Sequence, residues 1–583
     1  MKRYIVTLLV AIAAPLALSA QVTKQVEVTK NFAPEIGTAK KMEVAPNMVD
    51  TITLRPEIDY TITPRSFASA LGTHRFQPAK VTYWEYRHQY PFYLKAGLGY
   101  PLNTVADFYA TTHRADVGYL SGYINHYGQY GKLKYENAAD GQFYKDNKSM
   151  QMANKVGVTG GKYFGRYTLS GDVFYRMDTY HRFPLHSDYD RRTVDFEDVN
   201  LAVSFGDSFA NYSHFNFKVY ASADFYNDKS QNLIVGEKYQ QMNVTAGGAI
   251  AREITKRSAL SLDVNYKGYY GMQSLKAYKN SLVGATLMYH YRSGGLVNMK
   301  VGAKVFYDYN PLDSEKTKRV HAFPYLSLSL NINDKGSFVP YIEVDGDVIN
   351  NSYYSLVRKN PYVSMLPDGS GKFNVALQSG KALPNTELYN VRFGVSGHTA
   401  NSKFAYRLYA NMSFMNHALY WYNVNQIFFG VESAKRNIWS LCAAVEYKPI
   451  SQLLVTAEVK GSLYTNFTQN LVADALPPIE AALSVRYTHK KFTVGATMDL
   501  YGTTKWTTSQ SDKLFDEAST AAPVTKLVTV PAMADLGVYV DWRVGKSCTI
   551  FAEGNNLLNM PMYHWVFYRE LGASFTAGVK VQF

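Results

Sequence analysis

Residues 545–547 have types that could do chemistry, because they read Gly-Lys-Ser, the end of a phosphate-binding loop. The first glycine of such a loop would fall at position 540, which is occupied by Val540. Without that glycine the backbone cannot form the phosphate cradle. The three residues are therefore predicted to be a tight turn.

A second candidate is a polar stretch in which His181 and His186 are followed by Asp188 and Asp190. These side chains could bind a metal ion, but their spacing matches no known ligand set. The stretch is therefore predicted to be a solvated loop. We predict no catalytic residues, no cofactor and no metal site, so the protein is not expected to be an enzyme.

The composition excludes several classes of protein. Aromatic residues make up 15% of the 583 residues, with 48 tyrosines, which argues against disorder. Cys442 and Cys548 are too few for a disulfide scaffold or a multi-cysteine metal site. Whether the two cysteines are bonded stays open. The net charge of +14 is not accompanied by any nucleic-acid-binding motif, so nucleic acid is not an expected partner.

The first 20 residues have the pattern of a secretory signal peptide. Lys2 and Arg3 precede an apolar stretch over residues 5–18, and small residues follow. This order predicts cleavage between Ala20 and Gln21. The mature protein is therefore predicted to be exported.

From about residue 90 onward, apolar and polar residues alternate with period two. Residues 215–225 and 536–544 are clear examples. Such segments form strands with one apolar and one polar face. Their length, about 9–14 residues, exceeds the usual soluble strand and suits a tilted membrane strand.

Successive links between these segments alternate between short and mostly longer ones. Ten short polar links are predicted at residues 111–116, 160–165, 206–211, 252–258, 293–295, 333–336, 398–402, 448–451, 488–491 and 545–547. Longer segments predicted as irregular loops lie at residues 178–192, 350–387, 465–479, 502–529 and 559–571. This pattern predicts an all-β, transmembrane antiparallel β-barrel over residues 90–583, with short periplasmic turns and long extracellular loops. The ten turns predict about 22 strands, within a range of 20–24.

Aromatic residues are expected to form belts at the two membrane surfaces. Candidate members of the belts are Tyr119, Tyr123, Tyr175, Tyr289, Tyr291, Trp421, Trp439 and Trp542.

The last strand is the most specific feature of the sequence. In residues 573–583 every odd position is apolar and the chain ends on an aromatic residue. This ending resembles the assembly signal of outer-membrane barrels, with Phe575, Val579, Val581 and Phe583 as the signal residues. The expected location is therefore the outer membrane, with membrane lipid and the barrel-assembly machinery as partners.

The closing residues resemble the TonB-dependent receptors. The matching stretches are residues 549–559, which include Asn-Leu-Leu-Asn at 556–559, and residues 572–583. The resemblance implies a 22-strand barrel and a role in transport. Only residues 21–89 precede the barrel, too few for the plug domain of that family, and they are predicted to be an extended periplasmic or lumenal segment.

Within that segment, Val26, Glu27, Val28 and Thr29 loosely resemble the short box that these receptors offer to TonB. An extended stretch of this kind could add to the edge of a partner's sheet. An ordinary linker is the alternative interpretation. TonB or another periplasmic protein is therefore a candidate partner.

The sequence thus predicts an outer-membrane barrel that binds or passes a solute through its lumen. The excess of Lys and Arg would favour anionic solutes if it lies in the lumen, whereas basic residues at the rims would meet lipid phosphates. The alternative function is a non-transport platform in a secretion or envelope-assembly complex. The solute itself is not predicted.

Overall fold

A computed structural model describes most of the second of two compact units, Tyr86–Phe583. The described residues are 90–136, 143–181, 193–209, 212–229, 238–293, 295–310, 319–332, 336–363, 377–378, 381–424, 428–466, 475–510 and 524–583. The predicted signal peptide, its cleavage site at Ala20 and Gln21, the segment 21–89 and its TonB-box-like residues lie outside the described residues. These remain predictions.

The described residues form 28 strands and one α-helix. In chain order they are β1 (Phe92–Tyr100), β2 (Leu102–Arg114), β3 (Gly118–Glu136), β4 (Phe143–Phe164), β5 (Tyr167–His181), β6 (Thr193–Asp207), β7 (Asn216–Asp228), β8 (Tyr239–Thr255), β9 (Ser258–Gln273), β10 (Lys279–Ser293), β11 (Val297–Tyr309), β12 (Val320–Leu330), β13 (Val339–Ile349), α1 (Tyr353–Lys359), β14 (Leu377–Gln378), β15 (Lys381–Ala382), β16 (Thr386–His398), β17 (Phe404–Val424), β18 (Phe428–Tyr447), β19 (Leu453–Asn466), β20 (Ile479–His489), β21 (Phe492–Tyr501), β22 (Thr504–Gln510), β23 (Val524–Val530), β24 (Met533–Arg543), β25 (Cys548–Asn555), β26 (Tyr563–Trp565), β27 (Tyr568–Arg569) and β28 (Ser574–Gln582).

Of the described strands, 22 form a closed antiparallel barrel, as the sequence predicts. They follow each other around the wall in chain order, and only β14, β15, β22, β23, β26 and β27 lie outside the wall. The last strand, β28, pairs with both β25 and β1, which closes the cylinder. Closure leaves every wall strand paired on both sides, which a bilayer requires because lipid offers no hydrogen bonds.

The ten predicted turns all lie at one end of the barrel, here called the turn end. They occupy residues 115–117, 165–166, 208–215, 256–257, 294–296, 331–338, 399–403, 448–452, 490–491 and 544–547. Several lie a few residues later than predicted, because the strands continue through polar residues when they pair. Phe92 and Phe583 exchange backbone hydrogen bonds of 3.0 and 3.1 Å at this end, as an even strand number demands. The opposite end is the loop end.

The exterior of the wall is apolar and the lumen is polar. On β5, Leu169, Val173 and Tyr175 are exposed on one face, while Asp172 and Arg176 occupy the other. An apolar face that is exposed all around a closed barrel is the surface that lipid covers. The predicted location in the outer membrane is confirmed by this architecture.

No helix in the described part of the chain is both long enough and apolar enough to cross a membrane.

The predicted aromatic belts are correct in part. Tyr175, Trp439 and Trp542 lie on the exposed exterior. Tyr289 and Tyr291 share a face of β10 with the exposed Leu287. The prediction is wrong for the remaining three residues. Tyr119 and Tyr123 lie on the opposite face of β3 from the exposed Leu120, and Trp421 packs within the loops described below.

Several tyrosines on the lumen side lie flat over a glycine of the neighbouring strand. Tyr123 is paired in register with Gly157, and a Cβ atom placed on Gly157 would lie 2.5 Å from the Tyr123 ring. The same directly paired arrangement recurs at Tyr119 with Gly161, Tyr220 with Gly247 and Tyr539 with Gly495. The glycines therefore leave room for rings that would otherwise project into the lumen.

Gly157→Ala is expected to destabilise the barrel by about 1–3 kcal/mol, because the new methyl group displaces the Tyr123 ring. Urea unfolding in detergent, followed by the gel mobility of unheated samples, measures the loss. Gly122→Ala is the matched control, since a Cβ atom there meets nothing within 4 Å. Equal stability of the two variants would contradict the packing role of the glycine.

Candidate functional site

The described parts of four of the five predicted irregular loops contain regular secondary structure. Residues 178–181 belong to β5, and the segment 350–387 contains α1 and the β14–β15 hairpin. Residues 502–529 contain β22 and most of β23, and residues 559–571 contain β26 and β27. Apart from β5, each of these elements is shorter than eight residues, so it is too short for a periodic pattern to show.

The helix α1 is specified by its caps. The Ser352 side chain accepts a hydrogen bond from the backbone N–H of Ser355, as an N-cap serine does. Arg358 and Lys359 lie in the last turn, where positive charge suits the helix dipole. Residues 350–363, which contain α1, are here called the strap.

One side of the strap docks on the lumen side of β5 to β8. The Tyr353 hydroxyl donates to the Asp228 carboxylate, and the backbone N–H of Tyr354 donates to Gln241 Oε1 at 3.1 Å. Leu356 and Val357 are almost completely buried in the same apolar cluster as Phe196 of β6. The strap therefore lies against a wall that is five to eight strands away from its own attachment at β13.

The contact with β5 and β6 is ionic. Arg358 reaches Asp178 at 2.5 Å and Asp198 at 3.1 Å, and Arg176 reaches the same carboxylates at 3.6 and 2.8 Å. Two guanidinium groups thus face two aspartates that are at least nine-tenths buried. Burial, and secondarily the charge of Asp198, raises the pKa of the Tyr354 hydroxyl, which therefore stays protonated beside the aspartates.

The other side of the strap reaches the opposite wall. Tyr362 packs edge to face on Tyr180 of β5, with ring centroids 6.4 Å apart. The Tyr362 carbonyl accepts a 3.2 Å hydrogen bond from the backbone N–H of Phe429, in β18. In the described barrel, ten wall strands separate β5 from β18 in either direction. Tyr362 therefore joins strands that face each other across the lumen.

Two further hairpins complete the structure at the loop end. β22 pairs in parallel with the end of β17, over Tyr422 to Val424, and so reaches across the tops of the strands between. On β27, the ring of Tyr568 stacks on Tyr362 with a centroid distance of 3.7 Å. The strap, the two hairpins and the ends of β17 and β18 are here called the cap.

Aromatic residues hold the parts of the cap together. Trp565 of the β26–β27 hairpin packs on Trp421 of β17, Phe429 of β18 and Trp506 of β22, with centroid distances of 5.4, 5.2 and 5.7 Å. Half of the six tryptophans in the sequence thus meet at one point. Sequence reasoning missed this cluster, because its members come from three separate segments of the chain.

The root of the strap is held by neutral groups. Asn350 Nδ2 donates to the Tyr278 hydroxyl at 3.1 Å and to Asn385 Oδ1 at 3.0 Å. Asn351 Nδ2 donates to Thr386 Oγ1 at 2.9 Å. These amides are almost fully buried. They hold the start of the strap against Tyr278, just before β10, and against Asn385 and Thr386, where β16 begins.

The lumen wall below the cap carries paired charges. Lys95 meets Glu553 at 3.1 Å, and Lys580 meets Asp541 at 2.8 Å. Similar pairs join Lys304 to Asp345, Arg392 to Glu343 and Lys460 to Glu480. Exposed basic residues instead gather in the turns, at Arg257, Lys403, Lys490, Lys491 and Lys546. These five pairs therefore contribute no excess of basic residues to the lumen, and such an excess is the condition for anion selectivity.

The remaining candidates for chemistry stay apart. Lys546 lies in the turn between β24 and β25, as predicted. His181 ends β5, whereas His186 and its neighbouring aspartates lie outside the described residues. Within the described ranges, no three metal-binding side chains come together. Cys442 and Cys548 are both free thiols.

The residues of the predicted assembly signal share the exterior face of β28. Phe575 and Phe583 are each 55% exposed, and Val579 is 39% exposed. Val581 lies on the same face. Their role in assembly remains a prediction.

Comparison with solved structures identifies the architecture. The ferric enterobactin receptor PfeA of Pseudomonas aeruginosa has a TM-score of 0.65 at 10% identity, covering 85% of this chain and 82% of its own. The siderophore receptor PirA of Acinetobacter baumannii has a TM-score of 0.62 at 11% identity, covering 84% and 80%. The FrpB iron transporter of Neisseria meningitidis has a TM-score of 0.60 at 10% identity, covering 85% and 82%.

The chain has the barrel fold of these receptors. The predicted resemblance to TonB-dependent receptor barrels is thereby confirmed for the fold. No protein-family model and no curated protein matches the chain.

Proposed function

We propose that the protein transports a solute across the outer membrane through its lumen, and that the cap is the barrier which the solute must pass. The observation that carries this proposal is the contact of Tyr362 with both β5 and β18. A structural platform needs only a closed wall, whereas a permeable lumen needs a device that controls entry. The solved structures of the same fold are receptors and transporters, which supports a non-enzymatic transport role.

The solute is recognised by aromatic rings and amides rather than by net charge. The lumen side carries flat tyrosine rings such as Tyr123 and Tyr220, and its cations are matched by carboxylates at the pairs given above. Flat rings and neutral amides suit a polar solute of low net charge. Among the solved structures of the same fold, PirA is a siderophore receptor, PfeA is a ferric enterobactin receptor and OprC is a copper transporter. These specificities are not carried over.

Energy coupling and the remaining partners follow from the sequence predictions. Val26, Glu27, Val28 and Thr29 would contact TonB or another periplasmic protein if uptake is energised. The basic turns would face anionic lipid headgroups, because the turn end is the periplasmic side of such barrels. The barrel-assembly machinery would recognise the last strand.

Purified full-length protein in planar bilayers tests the proposal. We expect brief openings in the wild-type protein, together with solute uptake in proteoliposome swelling assays. Tyr362→Ala, which removes the ring contacts of Tyr362 with Tyr180 and Tyr568, should lengthen the openings. A barrel that stays silent in both forms and copurifies at fixed stoichiometry with envelope proteins would support the platform role instead.

A further inference from the structure

The strap is held by neutral contacts at its two ends and by an ionic contact between them. At the root, Asn350 and Asn351 form hydrogen bonds between neutral, almost fully buried groups. At the far end, the Tyr362 carbonyl accepts a hydrogen bond from the Phe429 N–H, and the Tyr362 ring stacks on Tyr568. Between the two ends, Arg358 forms ion pairs with Asp178 and Asp198 of the facing wall. Arg358 keeps 21% of its side-chain exposure, so water reaches this contact but hardly reaches the root.

Arg176 makes the ionic contact reversible. It lies 2.8 Å from Asp198 and 3.6 Å from Asp178, and all three residues belong to wall strands, so this contact does not depend on the position of the strap. Breaking a buried ion pair is costly chiefly when it leaves one charge uncompensated. If Arg358 withdraws, the aspartates keep a guanidinium and Arg358 enters the aqueous lumen.

We propose that α1 of the strap is a gate that is held at the asparagine root and at Tyr362 and is latched by Arg358 on Asp178 and Asp198. On release, Tyr353 leaves Asp228, and the apolar residues Leu356 and Val357 leave the wall. The root contacts persist, and so do the contacts of Tyr362 with Phe429 and Tyr568, because none of them involves β5 to β8. The gate rests on the proposed transport function for its purpose, but its movement is measurable without transport.

The movement is tested by the accessibility of a buried reporter. Leu356→Cys places a thiol at a position that is 0% exposed when the strap is closed. Full-length protein in detergent is treated with N-ethylmaleimide, and labelling of each cysteine is followed by peptide mass spectrometry. Cys442, which is 2% exposed, serves as the internal reference.

Adding Arg358→Gln to the reporter protein is expected to raise the labelling rate of the reporter at least tenfold, with no change at Cys442. Arg358→Lys should give an intermediate rate, because one ammonium cannot bridge two carboxylates as a guanidinium fork does. Arg392→Gln is the matched control. It breaks the 3.1 Å pair between Arg392 and Glu343, both in wall strands, and should leave the reporter rate unchanged.

Asp178→Asn provides a second test if Arg358→Gln fails to give a heat-modifiable barrel. It removes one latch carboxylate and should also accelerate labelling. If the labelling rates of the reporter are equal in the latch variants and the control, the gate is overturned. The strap is then a fixed part of the structure at the loop end. Faster labelling in a barrel that never conducts would instead retain the gate and overturn the transport function.

Discussion

Replacing residues 353–363 with a Gly-Ser linker of equal length is expected to raise the single-channel conductance of the barrel severalfold. The replacement removes Arg358, Tyr362 and the buried side chains of α1, which are the groups that join β5 to β18 across the lumen. It leaves the root asparagines and all wall strands intact. A wall of 22 strands encloses a lumen wide enough to need a plug, so removal of the crossing segment should open it.

Planar bilayer recordings of the full-length variant measure the effect, and the uptake of large antibiotics by cells reports it in vivo. The matched control replaces residues 399–403 with the same type of linker, since this turn lies at the opposite end of the barrel. Unchanged conductance of the strap variant, with a correctly folded wall, would show that another part of the chain closes the lumen.

The conductance of the opened barrel should discriminate weakly between anions and cations. Lys95 and Lys580 each face a carboxylate two strands away, and Lys460 faces one on the neighbouring strand. Paired charges of this kind largely cancel at the distance of a passing ion. The net charge of the chain is therefore a poor guide to the selectivity of its lumen, because exposed basic residues such as Lys490 and Lys546 lie in the turns.

The wall could be predicted from the sequence because its determinants are local. Each wall strand shows its period over eight or more residues, and each turn is marked by its own polar residues. Pairing in chain order then adds no ambiguity, since consecutive antiparallel strands become neighbours. The strand count and the side on which both barrel ends lie follow directly.

The cap could not be predicted because its determinants are distant. Arg358 meets Asp178 across 180 positions of the sequence, and Tyr362 stacks on Tyr568 across about 200. Period two also cannot tell a lipid-facing aromatic residue from one that faces the lumen or a loop. The sequence therefore predicts a membrane-belt position for Trp421, although its ring packs on Trp565.

Deleting residues 574–583 is expected to abolish the folded barrel. β28 forms eight register pairs with β1 and eight with β25, so its loss leaves two wall strands with unpaired edges. Lipid cannot satisfy those backbone groups, and each unpaired group costs several kcal/mol there. Neither the heat-modifiable form nor outer-membrane protein should be recovered.

Phe583→Ala distinguishes recognition of the last strand by the assembly machinery from stabilisation of the seam, the contact between β1 and β28. The Phe583 ring stacks on Phe92 at 5.1 Å, so its removal weakens the contact between the first and last strands. Phe164→Ala is the matched control, since Phe164 is also an exterior aromatic residue at the turn end, 46% exposed, but lies far from the seam. If the terminal aromatic is the assembly signal, pulse-chase assembly slows for Phe583→Ala alone, whereas purified protein of both variants refolds equally in detergent. Slower refolding of Phe583→Ala in detergent would instead assign the residue to closure of the barrel.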